Sequence, residues 1–157
     1  MTDENQFRFI QACSVSSILS EQHLLHVGQQ EGKTSMPYSV SFDEKMGIIG
    51  VAVSSPCEKQ DHYDAMNRTL ELCREHACSR ILVDLRHLNT KQFTVTGCYH
   101  FGRTLAEQGV PCKIAHVLPD DGKSKEKVTF TSLVQMNRGV ASCVFETMED
   151  AREWLQL

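Results

Sequence analysis

The stretch TVTG (Thr94–Gly97) places two hydroxyls and a glycine directly before an apolar-striped helical segment. Three chemistries suit it. A threonine can cap the helix by accepting a backbone N–H. The open N–H groups and the dipole of the helix start can hold an anion. Thr94 or Thr96 can also accept a phosphoryl group. Just upstream, a short apolar run ends in Asp84, Arg86 and His87, and a later run ends in Pro119, Asp120 and Asp121. In parallel sheets ligands gather beyond the carboxyl ends of the strands. Asp84, Arg86, His87, Thr94, Thr96, Gly97 and Asp120 are therefore expected to form one partner- or anion-binding corner. Arg86 and Lys91 would give it positive charge, and His87 could exchange a proton.

Each of these residues also has a plain structural use. Thr94 or Thr96 can serve only as a cap, Asp84 can pair at a strand end, and His87 and His100 can simply be solvated. Cys98, at a helix start, is a position where a thiol pKa can fall, but no general base has motif spacing to it. No Ser/His/Asp signature and no Gly-rich phosphate loop occurs. Cys73, His76 and Cys78 lack the second ligand pair that a zinc site needs. The sequon at Asn67–Thr69 falls inside a helical pattern. No catalytic residue, metal or cofactor is expected, and the chain does not read as an enzyme.

Those elements sit in a chain of 157 residues, enough for one domain with its own core. Hydrophobic residues make up 41% and charged residues 23%, ordinary for a globular protein. A net charge of -4 without a basic stripe argues against nucleic acid as partner. The lysines of GKSKEK (Gly122–Lys127) are diluted by Glu126, Asp120 and Asp121. The acidic start MTDENQ is no secretory signal, and the longest apolar run, Met46–Val53, is too short for a bilayer. Seven cysteines at irregular spacing read as small hydrophobes in a reducing compartment. A cytoplasmic protein without membrane insertion is expected.

Residues 1–36 read as an N-terminal extension, with a short helix around Ile18–His26. From residue 37 the pattern sharpens. Tyr38–Phe42 alternates as a half-buried strand, Asp43–Gly47 is a turn, and Ile48–Val53 is a strand covered on both faces, giving an antiparallel hairpin. Ser55 as cap, Pro56 and Glu58 suggest a helix start, with Asp61 as rival cap. Met66, Leu70, Cys73 and Ala77 then share a stripe, ending near His76. Arg80–Leu85 is a strand, so the hairpin's second strand pairs parallel to it. A helix follows to Gln108, with Val95, Cys98, Phe101 and Leu105 on its inner face and Gly109 as left-handed end. Cys112–Leu118 is a strand. A helix from Ser124 to Asn137 is expected to bury Phe130, Leu133 and Val134. Ala141–Phe145 is the last strand, and Thr147 with Asp150 caps a final helix that turns Met148, Ala151 and Leu155 inward. The fold class is α/β: one domain, 37–157, with a mixed sheet, antiparallel at its start and parallel thereafter.

ILVDLR (Ile81–Arg86), FGRTLAE (Phe101–Glu107), KIAHVLPD (Lys113–Asp120), NRG (Asn137–Gly139) and VFETMEDAREWL (Val144–Leu155) resemble the STAS-like proteins, in particular the bacterial SpoIIAA-like group of anti-sigma factor antagonists. The resemblance spans residues 37–157. It implies a small mixed sheet with helices packed mainly on one face, and a non-catalytic regulatory module that binds a protein partner. In that family a serine in Asp-Ser-Ser-Gly, at the start of the helix after the central strand, is the phosphorylation switch. Aligned on Gly97, the chain has Thr94 in place of the aspartate, Val95 in place of the usual acceptor and Thr96 in place of the second serine. Regulation through Thr96 or Thr94 is the remaining form of that expectation. The alternative is a sensor or carrier for a small anionic or lipid-like ligand, held in a cleft lined by Phe7–Ile10 and Phe101.

Overall fold

The computed structural model describes residues 36–157. The expected N-terminal extension, including the helix around Ile18–His26, lies outside the described residues except for Met36.

Nine elements follow one another: β1 (Tyr38–Asp43), β2 (Ile48–Ser54), α1 (Lys59–Glu75), β3 (Arg80–His87), α2 (Val95–Glu107), β4 (Lys113–Val117), α3 (Gly122–Met136), β5 (Ala141–Phe145) and α4 (Met148–Gln156). The five strands form one sheet in sequence order, with β1 antiparallel to β2 and every later pair parallel. The β1–β2 turn is fixed by Asp43, whose carboxylate accepts the N–H groups of Lys45 at 3.0 Å and Met46 at 3.2 Å. Gly47 closes the turn at φ +61°, a conformation that a glycine adopts without strain. The mixed α/β architecture expected from the sequence is thus the one observed.

Side-chain alternation divides the core in two. Ile49, Val51, Ile81, Leu85 and Ile114 face α1, α2 and α3, whereas Ile48, Leu82, Ala115 and Val117 face α4 through Ala151 and Leu155. A parallel sheet built in sequence order winds always the same way, so its crossover helices share one face. Among the described residues, α4, which follows the last strand, is the helix that covers the other face.

Three local expectations are corrected. The first helix begins at Lys59, with Glu58 as cap and Asp61 as its reciprocal partner, rather than at Ser55–Pro56. Ser55 is occupied elsewhere: its Oγ accepts the N–H of Asn89 at 2.7 Å and its N–H donates to His87 O at 3.1 Å. Val95, expected on the inner face of α2, is 60% exposed. Leu133, expected in the core, is 51% exposed, and Phe130 is only half-buried; α3 instead buries Ser124, Thr131, Ser132 and Gln135 beside Val128 and Val134. The reason is a polar network between α3 and the sheet. Gln135 Oε1 lies 3.1 Å from His116 Nε2 and accepts Ser142 Oγ at 2.8 Å, and Ser142 Oγ lies 2.7 Å from Ser132 Oγ. Polar groups removed from water must find partners in the protein, and that requirement sets the rotation of the helix.

Candidate functional site

The expected corner does not assemble. Strand alternation puts Asp84 and Arg86 on the face of β3 that carries Leu82, toward α4, while α2 lies on the opposite face. Arg86 is committed to Asp84 by two charge-assisted bonds, Nε to Oδ1 at 2.9 Å and Nη2 to Oδ2 at 2.8 Å. The bonds from Arg86 hold the Asp84 carboxyl below the usual carboxylate range. Asp120 is exposed at the end of β4, and its charge, with that of Glu149, is felt by Arg86. A guanidinium so neutralised is a poor anion receptor. His87 is exposed; its carbonyl receives Ser55 N–H. Thr94 is the cap of α2, its Oγ1 accepting Gly97 N–H at 3.0 Å, and Thr96 is exposed on the first turn.

A different site is present between the sheet and the three crossover helices. α1 lies over β1 and β2, α3 lies against β5, and α2 packs on α3. α2 can approach α3 so closely because its one fully buried residue is Gly102, where a Cβ would stand 3.0 Å from Thr131 O and 3.1 Å from Val134 Cγ1. The middle of the sheet is left with a cavity of about 560 Å³ above it. Protein interiors are close-packed, with few voids larger than a water molecule. Ligand sites span roughly 300–1,000 Å³ and are mostly apolar with a few placed polar groups.

The cavity matches that description. Its floor is Val51, Ile81, Val83 and Ile114, and its α1 wall includes Met66 and Leu70. Phe101 and Leu105 of α2 form the opposite wall, and Thr94 and Gly97 also line it. Of the sequence-derived site residues, these two are the ones it recruits. Phe101 lines this cavity, whereas Phe7–Ile10, its expected companions in a cleft, lie outside the described residues.

Aromatic rings cluster where α1 and α2 face each other. His62 meets Phe93 edge-on with centroids 4.5 Å apart, and Phe101 lies 6.0 Å from His62 and 5.9 Å from Tyr63. Burial lowers the His62 pKa from 6.5 to about 4, against the opposing pull of Asp61, so the ring is neutral at pH 7. The β3–α2 loop is clasped to α3: Thr90 donates its N–H and its hydroxyl to Ser124 Oγ at 3.1 and 2.9 Å, and Lys127 Nζ donates to Thr90 O at 2.7 Å. Lys127 also lines the cavity.

The buried thiols near this site are not activated. Cys98, expected as a candidate for a lowered thiol pKa, lines the cavity and has a raised one. Burial outweighs the hydrogen bond to Thr131 and the charge of Lys127. Cys57 and Cys73 are pushed up to about 11, also chiefly by burial. Among the described residues no group of three or more His, Cys, Asp or Glu is placed to hold a metal. Among the same residues, no helix is long and apolar enough to cross a membrane.

His62, Lys127 and His116 were missed by sequence reasoning. His62 carries no local signal, but His116 could have been found as the one polar side chain on the inward phase of an otherwise apolar strand, KIAHV.

No family model matches the chain, and no curated protein matches it. A similar solved structure is the NMR structure of the protein TM1081, with a TM-score of 0.47 and 14% identity, covering 90% of this chain and 98% of that one.

Proposed function

We propose that this chain is a non-catalytic regulatory module whose input is a small, largely apolar molecule held between the sheet and α2. The cavity of about 560 Å³ carries this reading. A void of that size forfeits dispersion contacts and leaves apolar surface uncovered, so occupancy by an apolar molecule is favourable.

The same arrangement offers an output. α2 forms one wall of the cavity and rests on α3 rather than on the sheet, so filling or emptying the cavity biases its position. Its first turn presents Thr94, Val95 and Thr96 to solvent, and that turn is the proposed contact for a protein partner. Thr96 is the better of the two hydroxyls for phosphorylation, because the Thr94 hydroxyl is already used as the cap.

Native mass spectrometry of the protein purified from its own host tests the reading. The expected result is a non-covalent adduct of small mass that is lost in Leu105→Trp, which fills the cavity from α2. A bare wild-type chain that also fails to enhance 1-anilinonaphthalene-8-sulfonate fluorescence would sink it.

A further inference from the structure

One wall of the cavity is built to do more than exclude water. His116 stands at the middle of β4, on the same face as Ile114, and lines the cavity while being only 5% exposed. Its Nε2 is paired with Gln135 Oε1 at 3.1 Å. Gln135 is fully buried and is itself held by Ser142, which is in contact with Ser132. The ring is thus fixed in orientation from behind. Its other nitrogen, Nδ1, is buried and has no partner among the described residues. Buried polar atoms are nearly always hydrogen-bonded, and an unpaired one is destabilising. A histidine held rigidly on an apolar wall with one buried nitrogen unpaired is suited to a hydrogen-bonding subsite.

We propose that His116 Nδ1 binds a neutral hydroxyl at the inner end of the ligand, so that the molecule recognised is an apolar alcohol or phenol rather than a fatty-acid-like carboxylate. This rests on the cavity being a ligand site. Three observations select the hydroxyl. Full burial keeps the imidazole uncharged, so it supplies no countercharge to a carboxylate. Lys127, the cationic residue that α3 contributes to the cavity wall, lies eight residues before Gln135, about 12 Å along the helix at 1.5 Å per residue, and is tied to Thr90 O. Gln135 Oε1 can only accept, so Nε2 carries the ring proton and Nδ1 is an acceptor; a hydroxyl can donate to it and a carboxylate cannot. His62 is the other histidine on the wall, and its Nε2 is also buried without a partner. That ring, however, is part of the aromatic cluster between α1 and α2, is less deeply buried, and lacks a hydrogen-bonded support like that behind His116.

The test compares three compounds of one shape: 4-butylphenol, butylbenzene and 4-butylbenzoate, titrated into the full chain by calorimetry. The expected order is 4-butylphenol tightest, about tenfold over butylbenzene, the worth of one net hydrogen bond, with 4-butylbenzoate weakest. His116→Gln keeps an amide near the Nε2 position but none near Nδ1; it should bind butylbenzene as before and lose the phenol preference. His116→Asn, whose amide falls near Nδ1, should keep part of it, and Thr96→Ala, outside the cavity, should leave it intact. On ¹⁵N-labelled protein, 4-butylphenol should shift the His116 Nδ1 resonance more than that of Nε2. Equal affinity of phenol and butylbenzene for the wild type overturns the hydroxyl subsite while leaving the cavity as a ligand site. Tighter binding of the benzoate does the same. Failure of all three to bind removes both the subsite and the cavity reading.

Discussion

Thr94 Oγ1 accepts the backbone N–H of Gly97 at 3.0 Å, so the first hydroxyl of TVTG is spent on starting α2. The same geometry explains the glycine: a Cβ at Gly97 would stand 3.3 Å from that oxygen and crowd the cap. Thr96, two residues on, is exposed and makes no side-chain hydrogen bond among the described residues.

The two threonines should therefore separate cleanly in stability. Thr94→Ala leaves a first-turn N–H without its partner and should lower stability by about 1 kcal/mol. Thr96→Ala should stay within about 0.5 kcal/mol of the parent, as exposed substitutions do. Urea denaturation followed by circular dichroism reads both. If Thr96→Ala is as damaging as Thr94→Ala, the assignment of the cap to Thr94 is wrong, and with it the choice of Thr96 as the hydroxyl left for modification.

Much of this fold is legible in the residues. The alternation of Tyr38, Val40 and Phe42, the apolar runs of β2 and β4, and the Thr147–Asp150 pair at the head of α4 each state their structure locally. On paper Ser55 was the cap, Glu58 the partner that closes its box and Asp61 the rival, whereas Glu58 itself caps α1. What removed Ser55 from that role was Asn89, thirty-four residues away, whose N–H takes the Ser55 hydroxyl. The rotation of α3 was illegible for a similar reason: Leu133 loses its place in the core because Gln135 must reach His116 and Ser142. The site was harder still. Period-two alternation already implied that Asp84 and Leu85 face opposite ways, and so that Asp84 and α2 lie on different sides of the sheet. A cavity, by contrast, is written in no residue. It follows from where α1 and α2 come to rest, and Gly102 is the one position whose size hints at it.

Acid should weaken the fold in a window set by histidines rather than carboxylates. The His62 pKa is about 4 in the folded chain and 6.5 when exposed, and burial lowers that of His116 in the same direction. Between these values the unfolded chain binds protons that the folded chain refuses, so stability falls as pH drops from 6.5 toward 4. Asp84 and Asp121, whose carboxyls are held below 3.8, lose their contribution only at lower pH. From pH 7 to pH 5 the loss attributable to His62 should be roughly 1–2 kcal/mol. Urea midpoints at the two pH values measure it, and His62→Phe should flatten the dependence. A midpoint that is unchanged or higher at pH 5 would show that His62 is open to solvent and not part of the cavity wall.

Gly102 sets how closely α2 approaches α3. Alanine there has two opposed effects. It gains about 1 kcal/mol of helix propensity over glycine, but its Cβ would sit 3.0 Å from a backbone oxygen of α3 that is itself part of a rigid helix. Gly102→Ala should therefore be close to neutral or mildly destabilising. Gly102→Leu has no such offset: overpacking of this kind is destabilising by about 1–3 kcal/mol, and relief comes from α2 moving away from α3. Because α2 is a wall of the cavity, that movement should change ligand uptake as well as stability. Denaturation midpoints and 1-anilinonaphthalene-8-sulfonate fluorescence on the same samples should shift together. A leucine variant with lowered stability but unaltered dye binding would mean that the α2–α3 contact and the cavity are independent, and α2 could not then carry occupancy of the cavity to a partner at its first turn.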